Sequence, residues 1–282
     1  MKNKKKMKKI ISYIVACILG IGILAEVVVI GVYNTVFNRD KLEHSLVESN
    51  YYYNMYEIII NNLEGYRLQS GFGEHIFDNV VTEDMVRSDI KDVINSLFAN
   101  QKIEISTEEL ENKLEQNIQK EVQEKNYRID DEARASIDNF KKVISESYKM
   151  NIMYSETSMS DINKSFKDNE KKLRTAMIVL LIIDVVVAAI IFKIRRSSIG
   201  IGLKIAGTFL LVARFYSGVS VTINNIMVFN WAFSATATFV LNKLVQGLFI
   251  SGIVLVVLGI AWICVFEYLR SKKIFNYGHN SK

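Results

Sequence analysis

Residues 174–196 read RTAMIVLLIIDVVVAAIIFKIRR, an apolar run that basic residues close at both ends and that Asp184 interrupts once. A helix needs about 20 mostly apolar residues to cross the hydrocarbon core of a bilayer. This stretch therefore predicts a transmembrane helix. An ionised aspartate near the centre of such a helix costs about 2.5–3.5 kcal/mol on insertion scales. The fold must either pair Asp184 with another group or keep it neutral.

Apolar runs of similar length recur along the chain and predict four membrane spans. These runs are residues 10–33, 176–193, 199–220 and 244–268. The chain contains no proline, which favours long uninterrupted helices. The expected fold class is all-α, with four transmembrane helices and an α-helical extracytoplasmic domain, residues 34–175, inserted between the first and second spans.

Lysine and arginine indicate how these spans are oriented. The N-terminal tail, residues 1–9, contains six lysines, and basic residues concentrate on the cytoplasmic side of membrane proteins. Four alternating crossings then place this tail and the C-terminal tail, residues 269–282, in the cytoplasm. The short outer loop, residues 221–243, contains no basic residue before Lys243. Its apolar character leaves a re-entrant segment or a fifth span open, but a fifth span would put the basic C-terminal tail outside.

Charge is distributed unevenly between the domain and the spans. Residues 38–174 carry 19 basic and 27 acidic side chains, a net charge of −8, and the rest of the chain carries +13. An acidic domain between basic membrane flanks argues against nucleic-acid binding. Cys17 and Cys264 both fall in apolar runs, so the domain contains no disulfide. The residues IVAC ending at Cys17 loosely resemble a lipoprotein cleavage motif, but the apolar run continues beyond it and favours an uncleaved anchor.

Apolar residues recur at helical spacing within the extracytoplasmic domain. One stripe follows Thr82, a candidate N-cap, and another follows a capping box formed by Ser106 and Glu109. Residues 42–66 predict a further helix that could continue the first span outward. The stripes are Val86, Ile90, Val93, Ile94 and Leu97; Leu110, Leu114, Ile118 and Val122; and Ala133, Ile137, Phe140, Ile144 and Tyr148. We expect a domain of packed helices with little or no sheet.

A cluster of tyrosines is one candidate binding surface. Tyr51, Tyr52, Tyr53 and Tyr56 could form an aromatic platform for a sugar or a protein partner. Tyr52 and Tyr56 also fit a helical core stripe, which is the commoner use of such spacing.

A glycine-rich connection is the other candidate. It contains Gly71, Gly73, His75 and Asp78, and flexible, polar connections often serve in binding. The alternative is an ordinary interhelical loop that covers its own apolar side chains, Phe72, Ile76 and Phe77.

The sequence offers no recognisable catalytic apparatus. It lacks the G-x-S-x-G, P-loop and H-E-x-x-H patterns. Its three histidines, His44, His75 and His279, are too dispersed for a metal site. We therefore expect no enzymatic activity, no cofactor and no bound metal.

Ionisable residues inside the predicted spans form a third candidate site. Glu26, Asp184 and Arg214 lie on three different spans, about 10, 12 and 9 Å from the outer surface by helical rise. Similar depth predicts an intramembrane cluster in which Arg214 donates to Asp184 and to Glu26. Such a cluster could fix helix register or relay protons or ions. Lys204 lies near the cytoplasmic end and can reach the surface alone.

These features favour a non-enzymatic multi-pass protein of the cell membrane. Its acidic ectodomain would bind or sense an unidentified protein or cell-envelope partner, or assist a membrane complex, and the lipid bilayer is its other partner. The abundance of Lys, Asn and Ile suggests a bacterial source. The alternative is a small transporter or channel component that uses the cluster of Glu26, Asp184 and Arg214.

Overall fold

The computed structural model describes the backbone of residues 2–153, 159–217 and 231–279, and the side chains of residues 6–153, 163–212 and 231–272. Within these ranges the chain is helical and contains no strand, as predicted. The helices are α1 (Lys2–Val36), α2 (Arg39–Glu48), α3 (Tyr51–Ser70), α4 (Glu83–Ala99), α5 (Glu108–Glu124), α6 (Asp131–Met153), α7 (Met159–Ile194), α8 (Ser198–Ser217) and α9 (Trp231–His279).

The helices belong to two compact units. The apolar bundle comprises residues 2–38, 169–217 and 238–279, and the helical domain comprises residues 39–153, 159–168 and 231–237. Helices α7 and α9 each begin in the helical domain and continue into the apolar bundle.

Three helices are long and apolar enough to cross a membrane. The candidate spans are Lys6–Val36, Asn163–Ile194 and Trp231–Lys272. Of the four predicted spans, the third corresponds to a shorter apolar helix, Ser198–Val212, which ends where the described side chains end. Residues 231–243, assigned from sequence to the outer loop, are the first turns of α9. No proline or glycine interrupts them, so the helix starts earlier than the apolar run suggests.

Helices α1 and α8 run parallel and in close contact through small residues. Ser198 Oγ donates a buried hydrogen bond of 3.2 Å to Ser12 Oγ. One turn further along both helices, a Cβ on Gly202 would lie 2.9 Å from the carbonyl oxygen of Ala16. Gly20 follows on α1 and approaches the carbonyl oxygen of Gly202. Small side chains at four-residue spacing thus let the two backbones approach closely.

Two further helix pairs of the apolar bundle are antiparallel. Between α8 and α9, a Cβ on Gly259 would lie 2.6 Å from the carbonyl oxygen of Gly200, and one on Gly207 would lie 2.6 Å from that of Gly252. Between α1 and α7, Ile191 packs with Ala16 and Leu19, and the carboxyl of Asp184 packs on Gly22. From one contact to the next, the residue number rises along one helix and falls along the other, so each pair of helices is antiparallel.

The helical domain has its own apolar core. The stripes predicted from sequence supply much of it, because Val86, Ile90 and Ile94 of α4 and Leu110, Leu114 and Ile118 of α5 are all buried. Ile144 and Tyr148 of α6 join them, and α3 adds Tyr52, Met55, Ile59 and Leu63. The predicted N-cap is confirmed, since Thr82 Oγ1 accepts a hydrogen bond from the amide of Met85 at 3.2 Å.

Two predictions about helix ends are wrong. Residues 42–66 do not continue α1, because that helix ends at Val36 and Asn50 adopts a left-handed conformation, with φ 55°, between α2 and α3. Asparagine tolerates this conformation better than most residues. The capping box of Ser106 and Glu109 does not form. Instead α5 follows Thr107, whose hydroxyl donates to Glu111 at 2.8 Å.

The first turns of α7 contact the end of α4 within the helical domain. The side-chain amide of Asn163 donates to the carbonyl oxygen of Gln101 at 2.6 Å, and Lys167 Nζ donates to that of Phe98 at 3.0 Å. These bonds satisfy carbonyl groups at and just beyond a helix C-terminus, where a cation is also favoured by the helix dipole.

The first turns of α9 also contribute to this unit. Ala232 is fully buried in the core of the domain, and Thr236 Oγ1 lies 2.9 Å from Ser49 Oγ in a hydrogen bond.

Candidate functional site

The connection between α3 and α4 is held by side chains of α5. The amide of Gly73 donates to both carboxylate oxygens of Glu121, at 2.8 and 3.0 Å. The side-chain amide of Asn117 donates to the carbonyl oxygens of Ile76 and Asp78, at 3.0 and 2.9 Å. This part of the predicted binding loop is therefore fixed along its backbone rather than free.

The outer face of the same loop is polar and exposed. Gly71 ends α3 with φ 78°, which glycine adopts without steric cost. His75 Nδ1 lies 2.9 Å from Asp78 Oδ2, and the side chains are 87% and 61% exposed. Beneath them the apolar side chains Phe72, Ile76 and Phe77 pack against the core. The loop thus presents His75 and Asp78 to solvent on a supported backbone.

The four tyrosines do not share one surface. Tyr52 is 2% exposed, with Arg87 5.5 Å above its ring, and its buried hydroxyl has no hydrogen-bond partner among the side chains and backbone that the structure describes. Tyr51 and Tyr56 are partly buried against the core, and Tyr53 is half exposed. Their helical spacing on α3 directs these side chains to different sides of the helix.

Glu26 and Asp184 come together in the apolar bundle. Asp184 is 7% exposed, and the carboxyl of Glu26 is close enough to interact with it electrostatically. Neither oxygen of Asp184 has a hydrogen-bond partner among the described residues. The side chain of Arg214 lies outside the described residues, so its place in the predicted cluster stays a prediction.

A hydrogen bond between a buried tyrosine and a half-buried aspartate links α4 and α6, and this pair was not singled out from sequence. The hydroxyl of Tyr148 donates to Asp89 Oδ2 at 2.5 Å. Burial raises the pKa of Asp89, and this hydrogen bond partly opposes that increase. The pKa of Tyr148 is raised, first by burial and then by Asp89. The signal available in the sequence was the position of Asp89, which directly precedes the buried Ile90 of the α4 stripe and so lies beside the core.

A second polar group links α5 and α6. The buried hydroxyls of Thr107 and Ser145 both donate to Oε1 of Glu111, each at 2.8 Å. These bonds, that of Ser145 first, lower the pKa of Glu111. A serine directly after Ile144 on the α6 stripe could have indicated such a contact.

Among the residues that the structure describes, no group of three or more His, Cys, Asp or Glu side chains is placed to bind a metal ion.

Comparison with other proteins adds no functional assignment. No protein-family model matches the chain, and no curated protein or solved structure is significantly similar to it.

Proposed function

We propose that this chain is a non-enzymatic multi-pass protein of the cell membrane. Its helical domain lies outside the cytoplasm, where it binds or senses a protein or cell-envelope partner or assists a membrane complex. In this proposal α1, α7, α8 and α9 all cross the membrane, and both termini are cytoplasmic.

The directions of the helices support four crossings. Helix α8 runs parallel to α1 and antiparallel to α9, and α7 runs antiparallel to α1. Successive spans of a membrane protein alternate in direction, so this pattern is the one that four crossings produce. In addition, Arg195 lies over the ring of Tyr13 and pairs with Glu267 at 3.0 Å. These contacts gather the basic ends of α1, α7 and α9 at one end of the bundle, consistent with a cytoplasmic face.

Cysteine labelling in intact cells tests this orientation. With Cys17 and Cys264 replaced by alanine, single cysteines are placed at the exposed positions Gln69 of the helical domain and Ser271 of α9. A membrane-impermeant maleimide should label position 69 in intact cells and position 271 only after lysis. The reverse pattern would contradict the proposed orientation.

The supported loop between α3 and α4 carries the proposal of partner binding. Because Glu121 and Asn117 fix its backbone, little conformational entropy is lost when a partner contacts its outer face. The exposed imidazole of His75 and carboxylate of Asp78 supply a donor and an acceptor there.

Site-specific photocrosslinking tests this surface. A photoreactive residue at His75 should give a discrete crosslinked product in cells. The same residue at Lys102, which is exposed beyond the far end of α4, a helix about 25 Å long by helical rise, should not. The substitution E121A should reduce the product at position 75 without lowering the amount of protein. Equal products at both positions, or none at position 75, would refute binding through this loop.

A second candidate is a small transporter or channel component. The observation that favours it is the buried Asp184, which has no hydrogen-bond partner among the described residues. Charged groups inside membrane segments are costly and often serve in ion or proton pathways. Flux through liposomes containing the protein that disappears in D184N, with the protein still folded, would support transport over partner binding alone.

A further inference from the structure

Asp184 lies on the face of α7 that contacts α1. The same face carries Val187, Ala188 and Ile191, which pack with residues of α1, and their spacing from Asp184 is three, four and seven residues. The neighbours Ile183 and Val185 are exposed on the outer surface of the bundle. The aspartate therefore occupies a helix contact rather than a surface directed toward lipid.

Because Gly22 of α1 has no side chain, it leaves space at this contact for the carboxyl group of Asp184. Oδ1 of Asp184 lies against Gly22, where a Cβ would overlap it. Glu26 is one turn further along α1, on the same face as Gly22. Both oxygens of Asp184 are buried and have no hydrogen-bond partner among the described residues, and Glu26 is close enough to interact electrostatically with this carboxyl.

Two ionised carboxylates are not stable in this arrangement. Each would lose hydration, and their charges would repel in a medium of low dielectric constant. Buried polar atoms without partners add a further cost, because they lose their bonds to water without replacement. A bound cation would remove both penalties.

The proton is the cation that fits this contact. Ca²⁺ takes six to eight oxygen ligands and Mg²⁺ a complete octahedron, whereas the contact offers two carboxyl groups and helix carbonyls that already accept hydrogen bonds. A proton needs only one donor and one acceptor oxygen, and carboxyl pairs that share a proton are an established arrangement.

We propose that Asp184 and Glu26 form a proton-binding site at the contact between α1 and α7, with at least one proton held at neutral pH. The O–H of one carboxyl faces the oxygen of the other, and loss of this proton to water leaves two facing negative charges between the helices. The contact between α1 and α7 is then weakened by repulsion. This site does not depend on either function proposed above.

Infrared difference spectroscopy of the full chain in liposomes tests the site. The C=O stretch of a protonated carboxyl is separate from the amide bands and from ionised carboxylates. The wild type should show this band at neutral pH, and the D184N variant should lose one carboxyl equivalent of it, because the asparagine amide donates to an ionised Glu26. The matched control D168N changes an exposed aspartate near the start of α7 and should leave the band unchanged.

Arg214 provides a decisive additional variant. If its guanidinium neutralises Asp184, the wild type should lack the band and R214Q should gain it, and this outcome would overturn the proposal. If the proposal is correct, the band is present in both proteins.

A chemical probe gives an answer that needs no folded variant. An apolar carbodiimide adds the O–H of a protonated carboxyl across a C=N bond, and an acyl shift to nitrogen then leaves a stable acylurea with no leaving group. Mass spectrometry of the wild type should locate this adduct at Asp184 or Glu26 at neutral pH, with less adduct as the pH rises. Absence of both the adduct and the infrared band from folded wild-type protein would refute the site.

Discussion

Tyr148 and Asp89 form a 2.5 Å hydrogen bond between α6 and α4, inside the core of the helical domain. Tyr52 is almost equally buried, but its hydroxyl has no hydrogen-bond partner in the described part of the chain. The two tyrosines therefore provide a matched pair for measuring what a buried phenol contributes.

We predict that Y148F destabilises the helical domain by about 1–3 kcal/mol, because Asp89 is left half-buried without its donor. The same change at Tyr52 should be neutral or slightly stabilising, since it removes a buried hydroxyl that forms no hydrogen bond with the described residues. The measurement is the urea concentration at which a protease begins to cut the domain in the full chain. Equal losses in both variants would show that the hydrogen bond contributes nothing specific.

The stability of the helical domain should depend on pH through the ionisation of Glu111. Its pKa is lowered in the folded protein by the hydroxyls of Ser145 and Thr107, so its contribution is present above its unfolded pKa, about 4.3. That contribution is lost as the pH falls through the lower folded value. The difference in domain stability between wild type and E111Q should therefore shrink below about pH 4, measured by the same proteolysis assay. A difference that is constant from pH 7 to 3 would contradict this assignment.

Removing the Glu111 side chain should have a larger effect at neutral pH. E111A leaves two buried hydroxyls without their acceptor and should cost about 1–3 kcal/mol. E146A is the control, because Glu146 is exposed and lies 4.0 Å from Lys142; it should change stability by less than about 0.5 kcal/mol.

The contact between α8 and α9 predicts a strict requirement for glycine. A Cβ at position 259 would meet the carbonyl oxygen of Gly200 at 2.6 Å, whereas one at Gly247 of the same helix would meet no atom of the described residues within 4 Å. G259A should therefore destabilise the bundle by about 1–3 kcal/mol through overpacking, and G247A should be tolerated. Thermal aggregation of the detergent-solubilised protein measures both variants. If both variants aggregated at the same temperature, α8 and α9 would be able to move apart and accommodate the added methyl group at little cost.

Glu121 is expected to control the order of the loop between α3 and α4. E121Q replaces the carboxylate that accepts two hydrogen bonds from the amide of Gly73, and should increase amide hydrogen exchange at Gly73 and its neighbours. E124Q is the control, because Glu124 is exposed on the same helix. Unchanged exchange in E121Q would show that Asn117 alone holds the loop.

The sequence was most informative where structure depends on local spacing. Leu110, Leu114 and Ile118 could be assigned to a core because helical periodicity is a property of neighbouring residues, and all three are buried. The break at Asn50 could not be predicted, since its left-handed conformation competes with a helical pattern that continues on both sides.

Contacts between helices that are far apart in the chain could not be predicted from the sequence. Counting residues along each span placed Glu26 and Asp184 at similar depth, but depth does not tell which helices are neighbours. The approach of Asp184 to Gly22 depends on the pairing and rotation of α1 and α7. The same holds for the hydrogen bond of Tyr148 with Asp89, 59 residues away.

The parallel contact between α1 and α8 has a consequence for biogenesis. Its two serines, Ser12 and Ser198, are separated by 186 residues, so the ribosome has synthesised α2 to α7 before α8 leaves it. Until then the small-residue face of α1 has no α8 to pack against. In the proposed topology, insertion of α8 therefore completes this contact, and a chain released after α7 would leave Ser12 and Gly20 of α1 exposed to lipid.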